Sequence, residues 1–407
     1  MKIIRYPSKK LQDIYNRSLP RSRRIKEKVE RILEDVRLQG DDALIRYTKK
    51  FDKVKLSPRN LRVSEAEISS AYQNIDPDFV NCLKTIIENI SRFYRRQIKK
   101  SWKIKDSEGV ILGENYHPID RIGVYIPSAQ APLVSTVYMT VLPARIAGVK
   151  EIALASPPDK NGNINPHILV VANLLKVDEI YRVGGAQAIA SFAFGTKSIA
   201  RVDKIIGPGN IYVTEAKRQV FGFVGVDMLA GPTELVIIAS RSSDPKLVIA
   251  DLKAQNEHRK AQVFLVTNSK SLARQVRSQI EDEGYIILTK NLDEAVQIAN
   301  RIAPEHLEIL VKNPRSVVNK IRNAGAIFLG PFSPVAVGDY FAGPSHVLPT
   351  GASARFFSGL NLCDFIKSNH IISYSKKGLE KARGPLEKIV GIEGLNQHAE
   401  SVRARFL

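Results

Sequence analysis

Twice along this chain, short apolar runs alternate with stretches of helical periodicity, and that alternation constrains the fold more than any other feature. Ile122-Gly123-Val124-Tyr125-Ile126 reads as a strand, Ser135–Ala147 as a helix, Ile152-Ala153-Leu154-Ala155 as a buried strand and His167–Leu175 as a helix. Glu179–Val183 and Ala186–Phe194 extend the series by one strand and one helix. Strand, helix, strand at this spacing implies right-handed parallel crossovers. The pattern restarts at Leu235-Val236-Ile237-Ile238 with helix Pro245–Ala254, strand Val263–Val266 and helix Ser271–Glu281, and Ile286-Ile287-Leu288 and Asn291–Ala303 continue it. Two α/β lobes are expected, with ligands taken up in a cleft.

The flanks read differently. From about Pro20 to Lys105 the periodicity is helical: Ile25, Val29, Ile32, Leu33 and Val36 form one apolar stripe that Gly40 ends, and Phe79–Ile98 is a second long amphipathic stretch. Strands are scarce there, apart from Val110-Ile111-Leu112 just beyond it. Past Tyr374 a short helical tail contains Leu379–Leu386. The expected division is a helical N-terminal arm or layer (1–105), a first α/β lobe (106–232), a second (233–375) and a C-terminal segment (376–407). A length of 407 residues suits this at roughly 150 residues per domain.

Composition narrows the function classes. With 44% hydrophobic and 25% charged residues the chain is neither disordered nor collagenous. No apolar run reaches the roughly 18 residues of a membrane span, and charges rather than an apolar stretch follow the first residues, so a soluble cytoplasmic protein is expected. The net charge of +20 is concentrated early: residues 1–105 hold 27 Lys/Arg against 13 Asp/Glu, with clusters at Arg21-Ser22-Arg23-Arg24 and Arg95-Arg96. No zinc finger, basic zipper or RNP-type aromatic motif accompanies that charge, so it reads as a solvated basic surface and nucleic acid is not the expected partner. Cys82 and Cys363 are too few for a disulfide framework or a cysteine metal cluster.

Chemistry-bearing residues gather in a few places. Gln255 and His258, three apart at the end of a predicted helix, project from one face as two ligands of one metal would, although a capping or surface histidine has the same spacing. Ala303-Pro304-Glu305-His306-Leu307 sets a carboxylate beside an imidazole, a pair able to share acid–base work, or a structural turn. Gly338-Asp339-Tyr340 with Ala342-Gly343-Pro344-Ser345-His346 reads as a loop held close to something. Glu393 and His398 lie in the tail, where the plainest reading is surface. Val183-Gly184-Gly185-Ala186-Gln187 and Gly207-Pro208-Gly209-Asn210-Ile211-Tyr212 are tight turns whose backbone amides suit a pyrophosphate, but neither is the G-x-G-x-x-G fingerprint.

Together, Val226–Leu235, Ala250–His258, both glycine turns, Ala303–Leu307, Gly338–His346 and Glu393–His398 closely resemble the signature of histidinol dehydrogenase, in order and across nearly the whole chain. The resemblance implies two related α/β/α lobes, incompletely Rossmann-like and similar to aldehyde dehydrogenases, with a small C-terminal segment exchanged within a homodimer. It implies four-electron oxidation of L-histidinol through L-histidinal to L-histidine, the final step of histidine biosynthesis, with NAD as oxidant and one Zn²⁺ per subunit. It implies Gln255, His258, Asp339 and His398 as zinc ligands, which with Thr233, His306 and Glu393 also bound the substrate. Glu305 and His306 match the catalytic pair, and Tyr125, Gln187 and Asn210 the NAD contacts. The expected sites are shared between the two subunits. The chain departs from the family at Ser128-Ala129, where two glycines are usual, and at Ser345, where Asn is common. A dehydrogenase of another polar alcohol on the same fold is the nearest alternative, and a basic nucleic-acid-binding protein without turnover the alternative from another class.

Overall fold

The computed structural model describes residues 1–17, 22–127, 131–258, 260–281 and 283–406. Arg21 of the basic cluster and the Ser128-Ala129 departure lie outside the described residues. The chain divides into two compact units, residues 1–97 with 119–365, and residues 98–118 with 366–407.

The larger unit holds two parallel sheets. In the first, Arg121–Tyr125 is central, flanked on one side by Glu151–Ala155 and Glu179–Tyr181 and on the other by Lys204–Ile206 and Gly225–Val226. In the second, Glu234–Ala239 is central, flanked by Gln262–Thr267 and Tyr285–Leu288 on one side and His306–Ile309 and Ala326–Leu329 on the other. Numbered within each lobe, both sheets run 3-2-1-4-5, so the lobes share one topology and each reverses direction beside its first strand. The fold is α/β with two related lobes.

Burial explains why these strands were readable. Glu234–Ala239 is buried at every position and Glu151–Ala155 at all but its first, as central parallel strands covered on both faces must be. Alternate residues feed opposite faces: Val124, Ile152 and Leu154 join one core with helices Pro77–Arg95, Val134–Ala147 and Pro166–Leu174, while Tyr125, Ala153 and Ala155 join another with Arg23–Gln39, Gly185–Phe194 and Ile211–Val220. Val236 and Ile238 divide in the same way from Leu235 and Ile237 in the second lobe. Each lobe is thus helix, sheet, helix. The expected stripe of Arg23–Gln39 is buried at Val29, Ile32, Leu33 and Val36; Ser22 caps the helix start and Gly40, at φ +52°, its end.

The N-terminal region is not wholly helical. Lys2–Arg5 forms an edge strand of the second sheet, pairing with Tyr285–Leu288 in parallel register. Four residues beside Lys9 and Lys10 carry too little apolar pattern to announce a strand. The smaller unit contains an antiparallel sheet ordered Ile366–Ser373, Ile111–Pro118, Trp102–Lys105, followed by helices Lys376–Ile392 and Asn396–Arg403. Glu387 holds the two helices together, accepting from Arg383 and Arg403 at 3.0 Å each. Among the described residues no helix is long and apolar enough to cross a membrane.

Candidate active site

Helix Leu292–Ile302 ends in Ala303, whose φ of +49° is left-handed, and Pro304 prevents its continuation. The chain then enters strand His306–Ile309, placed by register beside the central strand, with His306 opposite Leu235. Glu305 and His306 therefore start one strand next to Thr233 and Glu234, which start another. Both are buried, at 7% and 3% exposure. Glu305 Oε2 accepts from the Thr233 hydroxyl at 2.5 Å and from the Glu234 N–H at 2.9 Å. The Gln255 amide nitrogen donates to Thr233 Oγ1 at 2.7 Å. His306 Nδ1 lies 3.1 Å from the Glu234 carbonyl and 3.6 Å from Glu305 Oε2; Nε2, without a hydrogen-bond partner, stands 3.4 Å from Asp339 Oδ1.

These surroundings set the charges. Burial, the largest influence, pushes Glu305 up to about 7 against the opposing pull of His306, the Thr233 hydroxyl and the Glu234 N–H. Burial works the other way on His306, but the carboxylates of Glu305 and Asp339 outweigh it and raise the imidazole to about 9. Acid and base thus titrate within reach of neutral pH, as proton-transfer groups must. Two residues beyond His306 on the same strand, Glu308 is buried and raised by desolvation and by Asp251, while its Oε1 accepts the Val335 N–H at 3.1 Å. His346 is pushed down by burial; its Nδ1 bonds the Asp339 carbonyl at 2.9 Å and its Nε2 lies 3.3 Å from Thr136 Oγ1. A cavity of about 540 Å³ opens beside this cluster, with Asp339, Ser345 and His346 in its wall.

The glycine turns form a second cluster, in the first lobe. Gly184 and Gly185 lead from strand Glu179–Tyr181 into helix Gly185–Phe194, and the Gly185 N–H donates to the Tyr125 hydroxyl at 3.0 Å. Gln187 is buried with Oε1 unpartnered. Gly207, at φ +112°, packs so closely on Tyr125 that a Cβ there would stand 2.3 Å from the Tyr125 carbonyl oxygen. Asn210 caps helix Ile211–Val220, its Oδ1 accepting from Tyr212 N–H at 2.9 Å and Val213 N–H at 3.2 Å. Tyr125, Gln187 and Asn210 thus surround the carboxyl ends of the first sheet at its reversal point, the usual ligand position of an open α/β sheet. A cavity of about 430 Å³ runs from Gly209 and Asn210 to Gly231 and Lys260. The unpartnered Gln187 oxygen and the helix starts at Gly185 and Ile211 are groups of the kind that can hold a dinucleotide.

The zinc candidates are more dispersed. Asp339 and Gln255 supply oxygen donors; the nitrogen of the Gln255 amide is engaged by Thr233, which turns its oxygen away from that hydroxyl. His258 is exposed just past helix Pro245–Asn256. Glu393 and His398 belong to the smaller unit, both exposed: Glu393 caps the end of Lys376–Ile392, and His398 sits in the first turn of Asn396–Arg403. Among the described residues no three His, Cys, Asp or Glu side chains stand together as a metal site. Amide oxygen, carboxylate and imidazole nonetheless form a donor set that Zn²⁺ accepts. Cys82 and Cys363 are exposed and free.

Sequence reading passed over Glu234, Arg17, Asp227 and Lys217, which hold these clusters from behind. Lys217 Nζ binds the Gly207 carbonyl at 3.0 Å and pairs with Asp227, whose other oxygen accepts the Gly207 N–H at 2.8 Å. Arg17 pairs with Glu234 at 2.7 Å. Asp227 and Glu234 both lie inside the Val226–Leu235 motif but carry no role that the motif assigns; for Arg17 and Lys217 no local pattern exists.

A family model described as Histidinol dehydrogenase matches residues 15–406. The histidinol dehydrogenase of Heliobacterium mobile is 44% identical, over 100% of this chain and 99% of its own. That of Halalkalibacterium halodurans is 46% identical over 93% of each. The crystal structure of histidinol dehydrogenase from Elizabethkingia anophelis superposes with a TM-score of 0.94 at 37% identity, covering 100% of this chain and 98% of the other.

Proposed function

The chain belongs to the histidinol dehydrogenase family, and from that premise we propose that it oxidises L-histidinol through L-histidinal to L-histidine, completing histidine biosynthesis in the cytoplasm. The observation that carries the reading is the buried Glu305–His306 pair, fixed by Thr233 and the Glu234 backbone with His306 Nε2 facing Asp339 Oδ1 at 3.4 Å. NAD⁺ would accept the hydride at each oxidation, and one Zn²⁺ per subunit, held by Gln255, His258, Asp339 and His398, would fix the substrate's imidazole and amino nitrogens.

The protein's own groups carry the protons. His306 takes the hydroxyl proton as the alcohol becomes an aldehyde. Glu305 and Asp339 are the two carboxylates that raise its pKa, and Asp339 is also one of the residues that would hold the zinc. Glu305 next removes a proton from water adding to the aldehyde, giving a hydrate whose oxidation yields the acid. Its raised pKa suits it to both accepting and returning that proton near neutrality. Thr233 and Glu393 contact the substrate, and retaining the amine through Glu393 keeps the aldehyde bound between steps. Residues 106–232 serve as the NAD lobe, 233–375 as the lobe of zinc and catalysis, and 376–407 complete the site of the partner subunit in a homodimer, with 1–105 as a helical layer.

Complete turnover therefore yields about two NADH per histidinol, with little free aldehyde. A ratio near one, with aldehyde captured by an added amine reagent, contradicts the four-electron reading. A panel of other polar alcohols with NAD⁺ checks the substrate.

A further inference from the structure

Glu234 has no part in the chemistry above, yet its backbone holds both members of the pair: its N–H donates to Glu305 Oε2 at 2.9 Å, and its carbonyl faces His306 Nδ1 at 3.1 Å. Its own carboxylate, 1% exposed, is gripped by Arg17 in a two-pronged fork, Nε to Oε1 at 2.8 Å and Nη2 to Oε2 at 2.7 Å. The Gly351 N–H adds a third bond to Oε1 at 3.0 Å. The remaining Arg17 nitrogen, Nη1, donates to the Ile14 carbonyl at 3.0 Å and the Ile302 carbonyl at 2.7 Å. One guanidinium thus ties the end of helix Leu11–Tyr15, the end of helix Leu292–Ile302 just ahead of Glu305, and the first residue of the central strand.

A buried ion pair is a poor way to gain stability, because desolvation offsets its attraction and an apolar pair of equal volume holds a core as well. A fork between guanidinium and carboxylate instead fixes direction as well as distance. Arg17 and Glu234 lie 217 residues apart and meet directly behind the pair whose geometry must be kept. We propose that Arg17 is a positioning residue of this enzyme, acting through Glu234 to hold the Glu305 carboxylate and the His306 ring in register for both oxidations. The proposal rests on the assignment of Glu305 and His306 given above.

The test uses the zinc-loaded holoenzyme with saturating NAD⁺ and compares wild type with Arg17→Lys, Arg17→Ala, Glu234→Gln and Glu305→Gln, with activity expressed per zinc-loaded, natively folded subunit. Arg17→Ala and Glu234→Gln should lower kcat about 10–100-fold while KM for histidinol stays within about threefold, the split that lost alignment rather than lost binding produces. Arg17→Lys should fall between, since an ammonium supplies the charge without the fork. Added guanidinium ion should restore Arg17→Ala about tenfold and leave Glu305→Gln unmoved, which a merely structural defect would not do. If Arg17→Ala does not fold, the volume-conserving Arg17→Lys and Glu234→Gln carry the same comparison. Wild-type kcat in both, or a rise in KM at unchanged kcat, overturns the clamp. Wild-type turnover in Glu305→Gln overturns instead the catalytic reading on which it rests.

Discussion

The two lobes have the same strand order but gather their candidate residues at opposite strand ends. In the first, candidate residues gather where strands end: Tyr125 closes its strand, and Gly184–Gly185 and Gly207–Asn210 follow theirs, each opening a helix. In the second they gather where strands begin, at Thr233–Glu234 and Glu305–His306. Strand ends followed by helix starts present backbone N–H groups and the positive end of a dipole, which suits phosphate. Strand beginnings at a sheet's reversal point present side chains between two parallel ladders, buried and held by neighbouring backbone, which suits shifted pKa values. Topology offers both ends of both sheets; the local residues decide which is used. Each cluster also has an ion pair behind it, Lys217–Asp227 for the turn and Arg17–Glu234 for the acid–base pair.

That division makes the lobes separable by mutation. His306→Ala should cost both oxidations about 10²–10⁴-fold in kcat while NADH affinity, read by fluorescence titration, stays unchanged. An equal loss of NADH affinity would break the separation.

The proposed sharing of sites between subunits gives the next largest effect. Asp339→Ala and His398→Ala should each lose zinc and activity alone, yet refolded together they should regain about a quarter of wild-type sites, because about half the dimers are mixed and each mixed dimer has one site free of both defects. NADH production and bound zinc are the readouts. Activity that stays at single-mutant level, with mixed dimers verified by mass spectrometry, refutes exchange of the tail.

Behind the glycine turn proposed to hold NAD⁺, Lys217→Met leaves the Asp227 carboxylate buried without its counter-charge, with a destabilisation of about 3–5 kcal/mol in denaturant unfolding. In the molecules that remain folded KM for NAD⁺ should rise and KM for histidinol should not, the mirror of the His306 result.

Asp52, in the helical layer over the first lobe, gives the smallest and most pH-dependent effect. Burial raises it to about 6, and its Oδ2 has no partner. A carboxyl whose folded pKa exceeds its unfolded value favours folding when protonated, so its contribution is lost as pH rises from about 4 through about 6. Asp52→Asn should therefore stabilise by about 1–2 kcal/mol above pH 7, after allowance for partial exposure, and by little near pH 4. Urea midpoints across that range test it; an identical shift at both ends would remove Asp52 as the source.

The same contrast explains what could be read in advance. Strands such as Ile152–Ala155 and Leu235–Ile238 were legible because burial on both faces demands an unbroken apolar run. Ile366–Ser373 is largely exposed, and its Lys367-Ser368-Asn369-His370 interior resembles a loop. Strand His306–Ile309 was hidden because Pro304 and two ionisable residues precede and open it. Glu305 and His306 stood out as neighbours in sequence, and the glycine turns through composition. Arg17 with Glu234 did not, since only the folded chain brings together residues 217 positions apart.

If one buried site performs the two proton tasks proposed for it, Glu305→Gln separates them. Only the second oxidation requires water to be activated, so the variant should lose overall oxidation of histidinol by about 10²-fold or more while reducing supplied histidinal to histidinol with NADH at close to the wild-type rate. Equal losses in the two directions would contradict the assigned role of Glu305, and with it the division of labour with His306.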